Sequence, residues 1–424
     1  MSEVVENAVC TFCGCLCDDI SVEIENNQIV RAKRVCANGR GVFQHYDPAP
    51  RSPTVHGQEV GWDEAVAEAA QILNESDSPL IYGLSSMASE AQRKSVKLAD
   101  RLGAMIDTTS SVCHGPTGLA MQTVGEATCT LGEVRNRADL IVFWGCNPAV
   151  SHIRHVTRYS VTPRGRLTPK GRRDRTVVVV DVRATKSTRL ADQFLQVAPG
   201  ADFEVLTTLR ALVAGKEDEI TVDSVGGIPV TELRELAERM KTCRFGVAFM
   251  GMGLTQTRGR DLTVSELFTL VSELNDYTRF SVIPMRGHGN VAGADQVMTW
   301  QSGYPFAVSF SRGYPVYGPG EFTAVDVLAR GEADAALILA SDPVAHFPAA
   351  AARALQRIPT IVLDPMPSLT TAGAAVFLPT ACYGIDATGT AYRMDGVPIR
   401  LRSVVSSVRP TDEEILDQLI EKVM

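Results

Sequence analysis

Three features that would place this chain in a membrane, outside the cell or on nucleic acid are absent from its sequence. No apolar run reaches the roughly 20 residues that a membrane-spanning helix needs. The opening MSEVVENAVC lacks a positively charged stretch followed by an apolar one, so export is not indicated. The formal net charge of -8 argues against nucleic-acid binding. We therefore expect a cytoplasmic protein with no membrane span and no nucleic-acid partner.

The remaining composition is that of an ordinary globular protein. Hydrophobic residues make up 45% of the chain and charged residues 21%. A length of 424 residues is compatible with two to four domains of roughly 150 residues each. The chain has ten cysteines but no secretory signal, which argues against a disulfide framework.

Four of the cysteines are concentrated near the start, in the order Cys10-x2-Cys13-x3-Cys17-x18-Cys36. Four locally clustered thiolates are what a cubane iron–sulfur cluster requires, so the spacing predicts one [4Fe-4S] cluster. A structural zinc site is the alternative, but zinc usually takes two C-x2-C pairs and only one is present. Cys15 is interpreted as a spectator, with an exchange against Cys13 or Cys17 as the alternative.

Hydrophobic periodicity predicts an α/β chain. Apolar residues at helical spacing predict helices over 62–73 and 89–102, and Asn26-Asn27 within 22–34 predicts a β-hairpin. Short apolar runs predict strands at 80–83, 140–145, 177–180, 245–250, 336–340 and 361–363. Continuous apolar strands alternating with helices indicate parallel sheets covered on both faces. Ligands of such sheets bind beyond the carboxyl ends of the strands.

Three polar segments have a predicted role. Asp181, directly after a strand, is placed to accept hydrogen bonds from a ribose or a guanine edge, and a turn or cap residue is the alternative. The basic stretch 158–175 is predicted to be an exposed loop that holds phosphates, contacts an acidic partner or is simply solvated. Thr411-x-x-Glu414 is a capping box and predicts a short final helix.

A set of motifs then follows the cysteine loop in a fixed order. They are WDEA at 62–65, CHGP at 113–116, WGCNP at 144–148 with His152, DVRAT at 181–185, PGAD at 199–202 and the segment 378–396. In this order they resemble the molybdopterin oxidoreductase superfamily over nearly the whole chain. SVCHGP at 111–116 and MRGHGN at 285–290 resemble in particular the family of formylmethanofuran dehydrogenase B subunits.

The resemblance implies a formate dehydrogenase-like α/β fold. It implies a [4Fe-4S] domain over 1–60 completed by 385–424. A first Rossmann-like domain would comprise 61–112 and 290–384, and a second would comprise 113–289. The chain ends about where larger relatives begin a C-terminal β-barrel that caps the pterin. We therefore expect that part as a separate small subunit.

The resemblance also implies a chemistry. Two molybdopterin guanine dinucleotides would hold one tungsten or molybdenum with a sulfido ligand, and the sequence does not separate the two metals. Cys113 would ligate this metal, while His114 and Arg286 would flank its open face. The cofactor-binding residues would be Gly145, Asn147, Pro148, His152, Asp181, Arg183, Thr185, Pro199, Gly200, Asp202, Gly251 and Asp342. A fixed arginine suits this site because carbon dioxide reduction creates a carboxylate.

The implied activity is reduction of carbon dioxide to formate, with electrons from the [4Fe-4S] cluster held by Cys10, Cys13, Cys17 and Cys36. The implied partners are the pterin-capping subunit, an amidohydrolase subunit that condenses formate with methanofuran, and ferredoxin-type electron-transfer subunits. A formate-oxidising subunit is one alternative. A metal-free structural subunit of a formyltransferase/hydrolase complex is the other, although such a subunit has no need of the five cysteines. Many superfamily members have lysine where Asn38 stands. Either Arg40 or Lys33 is therefore expected to supply that charge, or electron transfer uses another contact.

Overall fold

The computed structural model describes residues 2–424. Contacts between residues divide the chain into two compact units. The first unit is Met1–Val112 together with His288–Met424, and the second is Cys113–Gly287. The second unit is therefore a continuous insertion into the sequence of the first.

Twenty-one strands follow one another along the described part of the chain. They are β1 (Ser2–Ala8), β2 (Ile20–Glu25), β3 (Gln28–Lys33), β4 (Thr54–Val55), β5 (Gln58–Glu59), β6 (Pro79–Gly83), β7 (Met105–Thr108), β8 (Leu140–Trp144), β9 (Thr176–Asp181), β10 (Gln193–Gln196), β11 (Ser224–Val225), β12 (Ile228–Pro229), β13 (Phe245–Met250), β14 (Arg279–Pro284), β15 (Val308–Ser309), β16 (Val316–Tyr317), β17 (Ala335–Leu339), β18 (Thr360–Leu363), β19 (Val376–Leu378), β20 (Gly389–Tyr392) and β21 (Pro398–Leu401).

Sixteen α-helices alternate with these strands over residues 2–424. They are α1 (Ala37–Gln44), α2 (Trp62–Glu75), α3 (Ser89–Leu102), α4 (Gly115–Val124), α5 (Leu131–Arg137), α6 (Pro148–Ser151), α7 (Ile153–His155), α8 (Asp202–Val213), α9 (Val230–Thr242), α10 (Met252–Thr255), α11 (Asp261–Leu274), α12 (Val291–Ser302), α13 (Ala324–Arg330), α14 (Pro343–His346), α15 (Ala349–Leu355) and α16 (Asp412–Lys422). Over residues 2–424, no helix is long and apolar enough to cross a bilayer.

The first unit contains a nine-stranded sheet in the order β16-β15-β7-β6-β17-β18-β19-β4-β5. The five central strands, β7 to β19 in that order, are parallel. Every residue of β6, β17 and β18 is buried, which agrees with the continuous apolar runs that predicted them. The faces of the sheet pack against α2, α3 and α12 on one side and α13 and α15 on the other.

The N-terminal segment of the first unit forms a small antiparallel sheet, β1-β2-β3. The predicted hairpin is confirmed, because Asn26 and Asn27 connect β2 to β3 with φ angles of 50° and 61°. Two consecutive positive φ angles are those of the two-residue turn that matches the twist of a hairpin, and Asn tolerates them better than most residues. The hairpin occupies the stretch between Cys17 and Cys36.

The second unit is built on a five-stranded sheet in the order β10-β9-β8-β13-β14. All four strand pairs are parallel, so the carboxyl ends of the five strands lie at one edge. The central strands β8 and β13 are buried along their whole length. The order reverses direction between β8 and β13, and such a reversal is where ligands of open α/β sheets bind.

The sequence predicts that 385–424 completes the cluster domain, but the final helix lies elsewhere in the first unit. The capping box is present, with Thr411 accepting from the Glu414 N–H and Glu414 accepting from the Thr411 N–H. However, α16 packs against α2 and α3, and its apolar face joins the core of the nine-stranded sheet. The segment before the helix does reach the cysteine loop, since Met394 N–H donates to the Gly14 carbonyl at 2.8 Å.

Candidate active site

The cysteine loop of the first unit is closed by backbone hydrogen bonds. Cys10 N–H donates to the Cys17 carbonyl at 2.9 Å, and Leu16 N–H donates to the Cys13 carbonyl at 3.1 Å. Leu16 has a φ of 37°, a turn conformation that side chains rarely adopt and that brings the chain back on itself. The turn keeps Cys10, Cys13 and Cys17 on one short loop.

Cys36 reaches the same loop from the start of α1. It is the N-cap residue of that helix, and its Sγ accepts from Gly39 N–H at 3.4 Å. Gly39 in turn lies against Cys10, because a Cβ built on Gly39 would stand 2.5 Å from Cys10 Sγ. Gly39 therefore contacts both Cys36 and Cys10, and its contact with Cys10 leaves no room for a side chain at position 39.

The four thiols are close enough to affect one another electrostatically. Burial raises the pKa of Cys10, and the nearby thiols of Cys13, Cys17 and Cys36 raise it further. Such mutual repulsion between thiolates is what bound iron would offset. Among residues 2–424 no group of three or more His, Cys, Asp or Glu side chains is spaced to hold a single metal ion. A cubane differs in that each of its four cysteines binds a different iron.

Cys15 is part of this loop and is buried. Its thiol is hydrogen-bonded to Cys13, which lowers the pKa of Cys13 and raises that of Cys15. Cys15 therefore touches a predicted ligand. Its assignment as a spectator stays a prediction.

The two basic residues considered in place of the usual lysine are in different situations. Lys33 forms an ion pair with Glu23 on the neighbouring strand β2. Arg40 is an exposed residue of α1, and its N–H donates to the Cys36 carbonyl at 2.9 Å. The charge of Lys33 is thus already partnered, which favours Arg40 for the predicted role.

In the second unit the predicted cofactor residues follow the strands at one edge of the five-stranded sheet. Pro199, Gly200 and Asp202 come after β10, and Asp181, Arg183 and Thr185 end or follow β9. Gly145, Asn147, Pro148 and His152 follow β8, Gly251 follows β13, and Arg286 follows β14. Because the strands are parallel, the topology brings all of these segments to the same edge.

The turns after β8 and β13 pack directly against each other. Gly253 N–H donates to the Gly145 carbonyl at 2.9 Å, and Gly251 N–H donates to the Trp144 carbonyl at 3.0 Å. Gly145 has a φ of 58°, and a Cβ there would lie 2.8 Å from the Leu254 nitrogen. Cys146 sits below as a core residue, with its thiol donating to the Phe249 carbonyl at 3.4 Å. The glycines therefore let the two turns approach each other more closely than side chains would allow.

Two predicted cofactor residues make hydrogen bonds within the protein. The carboxylate of Asp202 accepts from Trp144 Nε1–H at 2.9 Å and from the Thr257 hydroxyl at 3.1 Å, and burial raises its pKa. Asn147 Oδ1 accepts from the hydroxyl and N–H of Ser187 at 2.7 and 3.2 Å. Both residues fix the edge loops, and their contact with a cofactor stays a prediction.

Asp181 and its loop present polar groups beyond the end of β9. Asp181 Oδ1 accepts from Arg183 N–H at 3.4 Å. Partial burial raises the pKa of Asp181, because the charged form is less well hydrated there. Thr185 N–H donates to the Thr188 hydroxyl at 3.3 Å, while the buried Thr185 hydroxyl has no hydrogen-bond partner in the described structure. The loop is thus suited to a polar ligand.

Asp342 belongs to the first unit, after β17. Its carboxylate accepts from the N–H and hydroxyl of Thr370 at 3.0 and 2.6 Å, and from Leu369 N–H at 3.3 Å. These bonds hold the loop after β18 against the start of α14. The predicted cofactor residues are consequently divided between the two units, with Asp342 alone in the first.

Cys113 and His114 stand immediately before α4. The Cys113 carbonyl accepts from the Thr255 hydroxyl at 2.8 Å, so this turn is tied to α10. His114 is 1% exposed; its Nδ1 lies 3.2 Å from the Thr117 hydroxyl, and its Nε2 has no hydrogen-bond partner among residues 2–424. Burial, assisted by the charge of Arg286, lowers the pKa of His114 to about 3. His114 is thus a neutral imidazole that lies beside the Met285 backbone and within the field of Arg286.

Arg286 lies just beyond β14 and is 7% exposed. Its carbonyl oxygen accepts a hydrogen bond from His152 Nε2 at 2.8 Å, and its own N–H donates to the Pro284 carbonyl at 3.0 Å. The guanidinium acts electrostatically on His114. The structure therefore brings His114, His152 and Arg286 to one place in the second unit.

Two residues of this region are not predicted by the sequence. Trp144 opens the motif WGCNP but is given no role in the site, yet its indole N–H donates to Asp202. The second is Glu126, whose carboxyl pKa is raised by burial and lowered by the charge of Arg286. It follows α4 without any motif, so no pattern in the sequence marks it.

This arrangement is that of a known class of enzymes. The model of the molybdopterin oxidoreductase family matches residues 53–420, so the chain belongs to that family and is an oxidoreductase. It is 48% identical over 434 residues to the B subunit of the tungsten-containing formylmethanofuran dehydrogenase 2 of Methanocaldococcus jannaschii, covering 100% of this chain and 99% of the relative. Within the larger family, the chain thus belongs with the B subunits of formylmethanofuran dehydrogenase.

Solved structures show the same fold. A chain of the formyltransferase/hydrolase complex from Methylorubrum extorquens, solved with methylofuran, is 25% identical with a TM-score of 0.71, covering 88% of this chain and 98% of that one. Acetylene hydratase from Pelobacter acetylenicus has a TM-score of 0.73 at 14% identity, covering 99% of this chain and 69% of that one. The second likeness shows the fold alone.

Proposed function

We propose that this chain is the catalytic subunit of a formylmethanofuran dehydrogenase that reduces carbon dioxide to formate. The observation that carries the proposal is the grouping of His114 and Arg286. His114 directly follows Cys113 in the sequence, and Arg286 follows β14, at the edge of the five-stranded sheet where the carboxyl ends of the strands lie. A buried cation, a neutral imidazole and a neighbouring thiol suit a reaction that starts from an uncharged molecule and ends with a carboxylate.

The residues at this edge fit a metal held by two pterin guanine dinucleotides. Cys113 would contribute a soft thiolate ligand to tungsten or molybdenum. The hydroxyl of Thr185, in the loop after β9, is buried without a hydrogen-bond partner in the described chain, and the carboxyl ends of the five parallel strands lie together at this edge. When bound, the metal–pterin group supplies two-electron chemistry. Asp181, Arg183 and Thr185 would bind a nucleotide end of the cofactor, as Asp342 would in the other unit.

The four cysteines of the first unit would hold one [4Fe-4S] cluster. Cys10, Cys13 and Cys17 lie on one closed loop, and the cap of α1 brings in Cys36. A cluster at this loop would deliver electrons singly, and two are needed for each carbon dioxide. Because the thiols are mutually repulsive once ionised, iron would also stabilise the loop.

Arg286 and His114 would act on the substrate. The guanidinium presents parallel N–H groups that match the two oxygens of formate. Its burial strengthens this attraction, because water does not screen it. His114, neutral at physiological pH, would donate or accept a hydrogen bond without adding a second positive charge. His152 would hold Arg286 in place through the backbone.

We further propose three partner subunits. A small subunit would cap the pterin side of the site, an amidohydrolase subunit would condense the formate with methanofuran, and ferredoxin-type subunits would feed the cluster. Relatives of this chain are subunits of multisubunit complexes. The likeness to the formyltransferase/hydrolase complex also supports a second candidate, a metal-free structural subunit. Cys10, Cys13, Cys17, Cys36 and Cys113 together favour the catalytic candidate.

Metal analysis of the anaerobically purified native complex tests the proposal. We expect about one tungsten or molybdenum atom for each copy of this chain, together with formate-dependent reduction of a viologen dye. The Cys113→Ala complex should lose the formate-dependent dye reduction while retaining iron at the cysteine loop. A native complex that contains its other cofactors but neither metal would assign the chain to the structural class.

A further inference from the structure

Glu126 occupies a loop that is fastened to the strand leading to Arg286. The loop runs from the end of α4 to the start of α5, and the Ala127 carbonyl accepts from Val282 N–H at 2.9 Å. Val282 lies in β14, which ends at Pro284, directly before the turn that carries Arg286. This backbone bond ties the residue after Glu126 to the strand that leads to Arg286, although Glu126 is far from Arg286 in sequence.

The carboxyl of Glu126 is unusual for a surface loop. The side chain as a whole is half-buried, but Oε1 is shielded from water and has no hydrogen-bond partner in the described part of the chain. Burial raises the pKa of Glu126 to about 7, although the charge of Arg286 acts in the opposite direction. A buried carboxylate without partners is costly, so this group holds its proton up to neutral pH.

Arg286 is the charged residue that lowers the pKa of this carboxyl. The one charged residue of β14, Arg279, is exposed at the end of the strand away from Arg286. Helix α11 packs against α4; its carboxylates Glu266 and Glu273 are paired with Arg210, and Asp261 is its first residue. His114 is neutral at physiological pH and adds no charge.

The proposed reaction requires a proton. Carbon dioxide, two electrons and one proton give formate, and the electrons arrive through the iron–sulfur cluster. A proton carrier works best when its pKa is close to the working pH, and the buried group near Arg286 that meets this condition is Glu126.

We propose that Glu126 is the proton-exchanging carboxyl of the carbon dioxide/formate site. In reduction, the Glu126 O–H bond breaks, and its proton supplies the hydrogen that the new C–H bond of formate requires. Glu126 is left as a carboxylate. That carboxylate then faces the Arg286 guanidinium and competes with formate for it, which favours product release. Reprotonation from solvent resets the site. This inference rests on the proposed function, since it assigns the proton of that same reaction.

Two variants of the intact complex test the assignment. Glu126→Gln keeps the shape and removes the proton, while Glu126→Asp keeps a titratable carboxyl. With sodium formate and methyl viologen, and at equal metal and iron content, we expect Glu126→Gln to lower kcat about 100-fold. The KM for formate should change much less, and the titration near pH 7 should vanish from the pH profile. Glu126→Asp should retain more activity with a shifted profile.

Infrared difference spectroscopy supplies a readout that does not depend on turnover. A protonated-carboxyl band that fades as the pH rises through about 7 should be present in the wild-type complex, and Glu126→Gln should lack it. If the Glu126→Gln complex does not assemble, a shift of the carboxyl band and of the pH profile of kcat in Glu126→Asp would support the same assignment. A wild-type kcat and pH profile in Glu126→Gln, or in Glu126→Asp if only that variant assembles, overturns the assignment. A native complex without metal or formate activity overturns the proposed function instead, even where the band is present.

Discussion

His152 Nε2 lies 2.8 Å from the carbonyl oxygen of Arg286. A carbonyl only accepts hydrogen bonds, so Nε2 carries the proton and Nδ1 is left to accept from the Ser151 hydroxyl, 2.8 Å away. Burial lowers the pKa of His152, which keeps the ring neutral. The sequence predicts His152 as a cofactor-binding residue, and its contacts in the structure make it a positioning residue for Arg286.

Replacing His152 should therefore weaken the hold of Arg286 on formate. His152→Leu leaves a buried carbonyl without a donor, which costs about 1–3 kcal/mol, and we expect the KM for formate to rise about tenfold. His152→Gln retains an N–H donor and should recover most of the wild-type KM. Steady-state formate oxidation at matched metal and pterin content measures both. An unchanged KM in His152→Leu would contradict the role.

The contact between Gly39 and Cys10 predicts a sensitive position in the cluster loop. In Gly39→Ala the new methyl group would lie 2.5 Å from Cys10 Sγ, so the thiol must move away from the other three. We expect the iron content and the visible absorbance of the cluster to fall by more than about half.

Gly41→Ala provides the matched control in the same helix. Its Cβ would meet its nearest neighbour, His45, at 3.9 Å, an ordinary contact. Since alanine favours a helix over glycine, this variant should retain the full cluster. Equal iron contents in the two variants would show that the Gly39 contact does not position Cys10.

Arg286→Lys should impair formate binding although it conserves the charge. Lysine is a point charge without the planar pair of donors, so it cannot match both oxygens of a carboxylate. We expect the KM for formate to rise at least about tenfold, equivalent to about 1.4 kcal/mol. Arg279→Lys, at the exposed opposite end of β14, is the control and should behave as wild type. Wild-type kinetics in Arg286→Lys would remove the guanidinium from substrate binding.

Local patterns predict most of the fold. The strand 245–250 and the helix 89–102 have the predicted bounds, because a buried strand and an amphipathic helix are each visible in the periodicity of a few residues. The same holds for the Asn26-Asn27 turn, whose residue types match its positive φ angles.

Contacts between distant residues account for what local patterns do not reveal. The stretch 158–175 is predicted to be an exposed loop, but Arg175 is 4% exposed and its guanidinium donates to the carbonyls of Ala138 and Arg135 at 3.2 and 2.7 Å. A count of basic residues does not show which of them the fold buries. Glu126 is absent from the predicted site for the same reason, since only the pairing of its loop with β14 brings it near Arg286.

Asp107 predicts a dependence of stability on pH in the first unit. It is fully buried, and its carboxylate accepts from the N–H groups of Ala307 and Ala324 at 3.1 and 2.8 Å and from the Ser111 hydroxyl at 2.6 Å. Burial nevertheless raises its pKa to about 7, against about 4 in an unfolded chain. The folded state therefore retains a proton that the unfolded state has lost.

It follows that Asp107 favours folding most below about pH 4, and that this contribution disappears as the pH rises through about 7. The shift corresponds to at most about 4 kcal/mol. Asp107→Asn does not titrate, so the difference in thermal midpoint between the wild type and this variant should shrink from pH 4.5 to pH 8, with the wild type losing stability faster. Asp364 and Asp412 also have pKa values raised by burial, but both variants share them and their effect cancels in the difference. A gap that stays constant over this range would mean that Asp107 is ionised in the folded chain, with its three donors outweighing its burial.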